Sequence, residues 1–202
     1  MLLSGGGRTL ANLLARIDSG ELPANVVAVV SSNVNAGGVA IAEKAGIPVA
    51  TIRRGDFGDN RAFSEAIYSS IRFHQPDLII CSGFLKRLVV ASEWQDRILN
   101  IQPALIPQSD AAGTGLYGER VHAAVIASGA EVSGATVHVV DNEYDHGPVV
   151  LKAEVPVLPA DTPATLAARI FAVECELYPR AVIAHWLTLT DPRNARQTGA
   201  NQ

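Results

Sequence analysis

The 202-residue sequence lacks the marks of several protein classes. Its two cysteines, Cys81 and Cys175, lie far apart and in neither a metal-ligand nor a Cys-x-x-Cys spacing. That pattern implies no disulfide and fits a reducing cytosol. No apolar run approaches the roughly 20 residues that span a bilayer, and glycines follow the first three residues, where a signal peptide would need its apolar stretch. The expectation is a soluble, cytoplasmic protein without a membrane partner. Charge of one sign is never concentrated: the formal net charge is -4, with acids and bases interspersed. This argues against the broad basic surface of nucleic-acid binders, so an anionic ligand would need a local site. No cluster of His, Cys and acidic residues has ligand spacing, and no metal is expected. Internal repeats and interdomain linkers are also absent.

What is present is enough apolar material for one sizeable core, 48% of residues against 18% charged. A single domain is expected over residues 1–187, with the polar stretch 188–202 as a disordered tail. Short β-branched runs alternate with stretches of helical period, as in βαβ units with a parallel sheet. Val26 to Ser31, Val49 to Ile52, Leu78 to Cys81 and Ile98 to Ile101 read as buried parallel strands. Helices are expected over Thr9 to Ser19 and Ala36 to Ala45, closed by Gly20 and Gly46, and over about Asn60 to Phe73 with Phe63, Ile67, Tyr68 and Ile71 inward. Glu131 to Val140 and Val149 to Val157 alternate as antiparallel strands do, and a helix from about Pro163 to Leu187 closes the domain. The fold class is therefore α/β: a doubly wound, mostly parallel open sheet with an antiparallel extension. Only Met1, Leu2 and Leu3 precede the glycines, whereas strands usually have about 5 to 6 residues. We expect the natural chain to begin several residues upstream of Met1; otherwise the sheet has a weakened centre.

Two regions carry candidate chemistry. Ser4-Gly5-Gly6-Gly7-Arg8-Thr9 joins a strand to a helix, where backbone N–H groups and the helix dipole favour an anion. It matches neither Gly-x-Gly-x-x-Gly nor the Walker loop. The alternative is that the glycines only make a tight turn. Asn100 and Gln102 share one side of a strand at its carboxyl end, where open α/β sheets bind ligands and amides can donate to an oxyanion. Polar residues there can equally be turn formers. Asp145, in a turn after the strand that carries His138, is either a turn aspartate or a carboxylate assisting proton movement.

Five segments in order carry a resemblance: Ser4-Gly5-Gly6-Gly7; Cys81-Ser82-Gly83-Phe84-Leu85-Lys86-Arg87-Leu88; Leu99 to Pro107; Ser133-Gly134-Ala135-Thr136-Val137-His138; and Asp145-His146-Gly147-Pro148. Together they resemble the motifs of the glycinamide ribonucleotide formyltransferases, within the folate-dependent formyltransferase family. The resemblance spans residues 1 to about 187 and implies the formyltransferase fold. It implies a reaction of de novo purine synthesis, in which the amine of glycinamide ribonucleotide attacks the formyl carbon of the cosubstrate 10-formyltetrahydrofolate. A tetrahedral oxyanion follows.

Carried over by position, the resemblance makes Asn100 the oxyanion-stabilising amide and Asp145 the proton-transfer carboxylate. Gly7, Arg8 and Thr9 match the loop for the nucleotide phosphate, although many relatives have Ser-Asn in place of Arg8-Thr9. Leu85, Lys86, Arg87 and Leu88, with the loop from Val139 to Asp145, match the folate wall. Arg61 stands near the arginine that meets the folate's glutamate tail. Gly115 to His122 resembles a substrate-side loop in which Arg120 or His122 would contact the nucleotide. Oligomeric state has no signal in the sequence.

The resemblance departs at residue 102, where the pattern Asn-x-His-Pro has a histidine and this chain has Gln102. Histidine can become a cation and donate a proton, whereas glutamine donates only a neutral hydrogen bond. By analogy with losing an oxyanion-hole donor, the rate cost is roughly 100- to 1,000-fold. His122 and His146 are the candidate substitutes, but related sequences with Tyr-Asp-His-Gly-Pro keep the motif's histidine as well, which argues against His146. Gln108 to Ala112 also departs from the expected aromatic- and glycine-containing stretch. The expectation is formyl transfer with reduced activity. The alternatives are an inactive relative that binds nucleotide or folate, hydrolysis of the formyl folate, and transfer to another amine.

Overall fold

The structure is a computed structural model that describes residues 1–105, 118–143 and 146–193, and only the backbone of Glu119. Its strands are β1 (Leu2–Leu3), β2 (Val29–Ser31), β3 (Val49–Thr51), β4 (Ile79–Ser82), β5 (Ile98–Gln102), β6 (Val132–Val139) and β7 (Val149–Pro156). The helices are α1 (Arg8–Asp18), α2 (Gly37–Lys44), α3 (Asn60–Arg72), α4 (Glu119–Ala127) and α5 (Pro163–Thr190). The strands form one sheet in the order β3-β2-β1-β4-β5-β6-β7. The first five in that row are parallel, and β6 runs antiparallel to both β5 and β7. The mostly parallel sheet with an antiparallel extension is therefore as expected.

The chain leaves β1 for β2 and β3 on one side, then crosses to β4 on the other. The crevice between β1 and β4 is thus the topological switch point, where parallel sheets open towards ligands at the strands' carboxyl ends. β1 occupies this central place with two residues, Leu2 and Leu3, both buried and paired to β2 and β4. Its shortness limits its neighbour. Residues 26–31 carry a strand's composition, but only Val29–Ser31 is a strand, because pairing extends from Val29 opposite Val49 and Val30 opposite Leu2.

Phe63, Ile67, Tyr68 and Ile71 form the buried face of α3, as its 3.6-residue period predicts. Gly20 and Gly46 follow α1 and α2 with φ of +80° and +69°, the left-handed conformation that ends helices at glycine. α5 begins with a capping box between Thr162 and Thr165 and with Pro163 in its first turn. Arg169 reaches back to Asp161 through two hydrogen bonds of 2.7 and 2.8 Å, fixing the entry to the helix. Inside α5, Pro179 has no N–H to give to the carbonyl four residues earlier. Asn12 Nδ2 of α1 donates to that Cys175 oxygen at 3.0 Å, so a neighbouring helix replaces the lost bond.

Two expectations are corrected. α5 continues to Thr190, three residues into the stretch assigned to the tail, with the hydroxyls of Thr188 and Thr190 bonded to the carbonyls of Ala184 and Trp186. Residues 194–202 lie outside the described residues. The segment ending at His122 is not all loop either, since α4 begins at Glu119. No helix among the described residues is long and apolar enough to cross a membrane.

Candidate active site

A cavity of about 530 Å³ opens at the switch point. Its floor comes from loops that leave carboxyl ends of neighbouring strands: residues 5–7 after β1 and 82–88 at and after β4. Asn100 and Gln102 of β5 and His138 of β6 form one side, and the segment 140–143 another. The first two loops are stitched together, for the Leu85 N–H donates to Ser4 Oγ at 3.1 Å, and Ser4 Oγ lies 2.7 Å from Ser32 Oγ.

The glycine loop divides its work. Gly7 precedes α1 with φ +79°, and a Cβ on it would come within 2.4 Å of Gly38 Cα, so glycine there permits a turn and the close approach of α2. Around Gly5 and Gly6 a Cβ would meet nothing within 4 Å. Those positions have room for a side chain, and both line the cavity. The turn-forming reading therefore fits Gly7, while Gly5 and Gly6 are free for an anion's approach. Thr9 lines the cavity too, as does Arg8, whose guanidinium carbon lies 3.8 Å from the centre of the Phe171 ring of α5.

Asn100 and His138 face each other across β5 and β6. Asn100 Nδ2 lies 3.2 Å from His138 Nε2, and His138 Nδ1 lies 3.1 Å from the Val139 carbonyl. A carbonyl can only accept, so Nδ1 carries the ring's proton and Nε2 accepts one amide hydrogen of Asn100. Among the described residues no other hydrogen bond engages the Asn100 amide. A register shift in the β6–β7 ladder falls between Val137 and His138, the kind of irregularity that re-aims a side chain. Gln102 pairs with Thr136 in the β5–β6 ladder, and Thr136 Oγ1 donates to the Ala104 carbonyl at 2.8 Å.

Residues Leu85, Lys86, Arg87 and Leu88 all line the cavity. Asn142 ties them to the opposite loop by accepting from Arg87 Nη2 through its carbonyl at 2.8 Å, and from the Val90 N–H through Oδ1 at 2.9 Å. Asp145 lies outside the described residues, as do 106–117, including the unusual stretch 108–112. Arg61 is exposed in the first turn of α3, away from that helix's buried face, and is not among the residues lining the cavity. His146, with its side chain 70% exposed and 3.4 Å from Asp141, is also outside the lining. His122 is buried and does line the cavity.

Ala167, Ile170, Phe171 and Glu174 of α5 complete the wall. Sequence reasoning missed all four, because a helix distant in sequence carries no motif that announces which of its turns meets the glycine loop. Burial pushes the Glu174 carboxyl up to about 7 against the opposing pull of the Arg8 cation. Burial likewise raises the Cys81 thiol to about 12, so this cavity-lining sulfur stays protonated and is a poor nucleophile. Among the described residues no group of three or more His, Cys, Asp or Glu could hold a metal ion.

A doubly wound sheet with a glycine loop at its switch point and an oriented amide on β5, beside β4, is an α/β domain suited to an anionic substrate and an oxyanion intermediate. Residues 1–182 match the formyl transferase family, and the chain belongs to it. It is 39% identical over 187 residues to the phosphoribosylglycinamide formyltransferase of Mycobacterium tuberculosis strain H37Rv, covering 91% of this chain and 82% of that one. It is 36% identical over 186 residues to the chloroplastic phosphoribosylglycinamide formyltransferase of Arabidopsis thaliana, covering 90% of this chain but 63% of the plant protein. The crystal structure of the enzyme of that name from Brucella melitensis superposes with a TM-score of 0.78 at 36% identity, over 90% of this chain and 91% of that one.

Proposed function

We propose that this protein transfers the formyl group of 10-formyltetrahydrofolate to the amine of glycinamide ribonucleotide in de novo purine synthesis, at a rate lowered by Gln102. Residues 1–190 act as one formyltransferase domain working on small molecules in the cytoplasm. Membership of the formyl transferase family and the relatives' names support the reaction. The observation that carries the site is the Asn100 amide, held by His138 at the carboxyl end of β5 within the cavity that also contains Gly5, Gly6 and residues 85–88.

The nucleotide phosphate lies against the glycine loop with Gly7, Arg8 and Thr9, and the folate lies along Leu85, Lys86, Arg87 and Leu88. Attack of the amine on the formyl carbon places a negative charge on the former carbonyl oxygen. The free N–H of Asn100 donates to it, and the amide is preorganised because its other hydrogen is already committed to His138. Asp145 moves the amine's proton towards the departing folate nitrogen. Gln102 supplies a neutral donor where the family's pattern has an ionisable imidazole.

The test follows loss of 10-formyltetrahydrofolate with and without glycinamide ribonucleotide, for this chain and for Gln102→His. The expected outcome is loss that depends on the nucleotide and is roughly 100- to 1,000-fold faster in the variant. If neither protein turns over while both bind the two substrates, a ligand-binding relative without catalysis replaces this account.

A further inference from the structure

Arg8 is the first residue of α1 and lines the cavity beside the glycine loop. Its side chain is long and flexible, and fixing such a chain on binding an anion costs rotamer entropy. Here the guanidinium carbon sits 3.8 Å from the centre of the Phe171 ring. Stacking uses the face of a guanidinium and leaves its in-plane N–H donors for other partners. No hydrogen bond engages those donors among the described residues. Phe171 itself is half-buried on α5, and its helical neighbours Ala167, Ile170 and Glu174 line the same cavity. The cation is therefore supplied by one helix and held by another, with its donors left for a ligand.

From this we infer that Phe171 is a positioning residue that presets Arg8 as the anchor of the substrate's phosphate. The inference rests on the substrate reading given above. It adds a residue that the glycine-loop motif does not contain. A ring face is what the role requires: tyrosine should preserve it, and leucine should fill the space without performing it.

The probe is ribose 5-phosphate, titrated calorimetrically into the full chain and its variants. Phe171→Leu and Phe171→Ala should each weaken binding by about 3- to 30-fold, the range of a guanidinium–ring interaction, and Phe171→Tyr should restore affinity. In the Arg8→Ala background, loss of the ring should change affinity less than about twofold, because the stacking partner is already gone. Phe171→Leu keeps apolar bulk on α5, so a melting temperature near the parent's separates lost positioning from lost folding. Two results would overturn the inference: a folded Phe171→Leu protein that binds as tightly as the parent, or an undiminished effect of Phe171 without Arg8. Absence of ribose 5-phosphate binding by the parent would overturn it too. None of these titrations involves formyl transfer, so an inactive parent with Phe171-dependent binding would sink the reaction and leave the inference standing.

Discussion

At the scale of single residues, the environment of each group decides its role more than its type does. His138 has an imidazole, and its two ring nitrogens lie 3.1 Å from the Val139 carbonyl and 3.2 Å from Asn100 Nδ2, so the ring orients an amide. Replacing Asn100 with alanine removes the donor and is expected to slow transfer by roughly 100- to 1,000-fold, read as kcat in the Gln102→His background where the rate is easiest to measure. Glu174 yields a prediction on stability. Its carboxyl is raised to about 7 in the folded protein, from an ordinary 4.5. Between those two values the folded state holds a proton that the unfolded state has released, so this group's contribution falls as pH rises through the window and levels off above it. Glu174→Gln should match the parent's stability below pH 4.5 and exceed it above about pH 7, by on the order of 3 kcal/mol. Urea unfolding at the two pH values checks this, and a constant difference between the proteins would refute it.

At the scale of elements, α1 and α5 depend on each other through a defect in one of them. Pro179 leaves the Cys175 carbonyl without its helical donor, and Asn12 of α1 fills the vacancy. Asn12→Ala should cost about 1–3 kcal/mol, the penalty for leaving a polar group of this kind unsatisfied. In a Pro179→Ala background the helix regains its own N–H, and the same substitution should cost much less. A double-mutant cycle by chemical denaturation measures the coupling; additive costs would mean that Asn12 acts elsewhere. The motif resemblance drew attention to loops, yet the site is finished by this helix pair. Arg8 opens α1, and Phe171 and Glu174 stand on α5. Sequence periodicity identified α5 as a helix but could not say which of its turns faced the glycine loop.

At the scale of the whole molecule, the cavity gathers side chains from residue 1 to residue 174. A ligand seated there bridges parts of the chain that are separate when it unfolds. Glycinamide ribonucleotide at 100 times its dissociation constant should stabilise the fold by about 2.7 kcal/mol, raising the melting temperature by roughly 5–10 °C. The rise should persist in Asn100→Ala if that residue serves the intermediate more than the ground state; differential scanning fluorimetry reads both cases. The sequence determined the alternation of strands and helices, the inward face of α3, the antiparallel pair β6–β7 and the motifs at the switch point. All of these follow from local periodicity and turn chemistry, which the backbone imposes within a few residues. Only the tertiary structure decided that β2 is confined to Val29–Ser31, that Gly7 packs against Gly38, that His138 orients Asn100 and that Phe171 holds Arg8. Each of those is a contact between segments far apart in the chain, fixed by how the layers pack and carried by no local pattern.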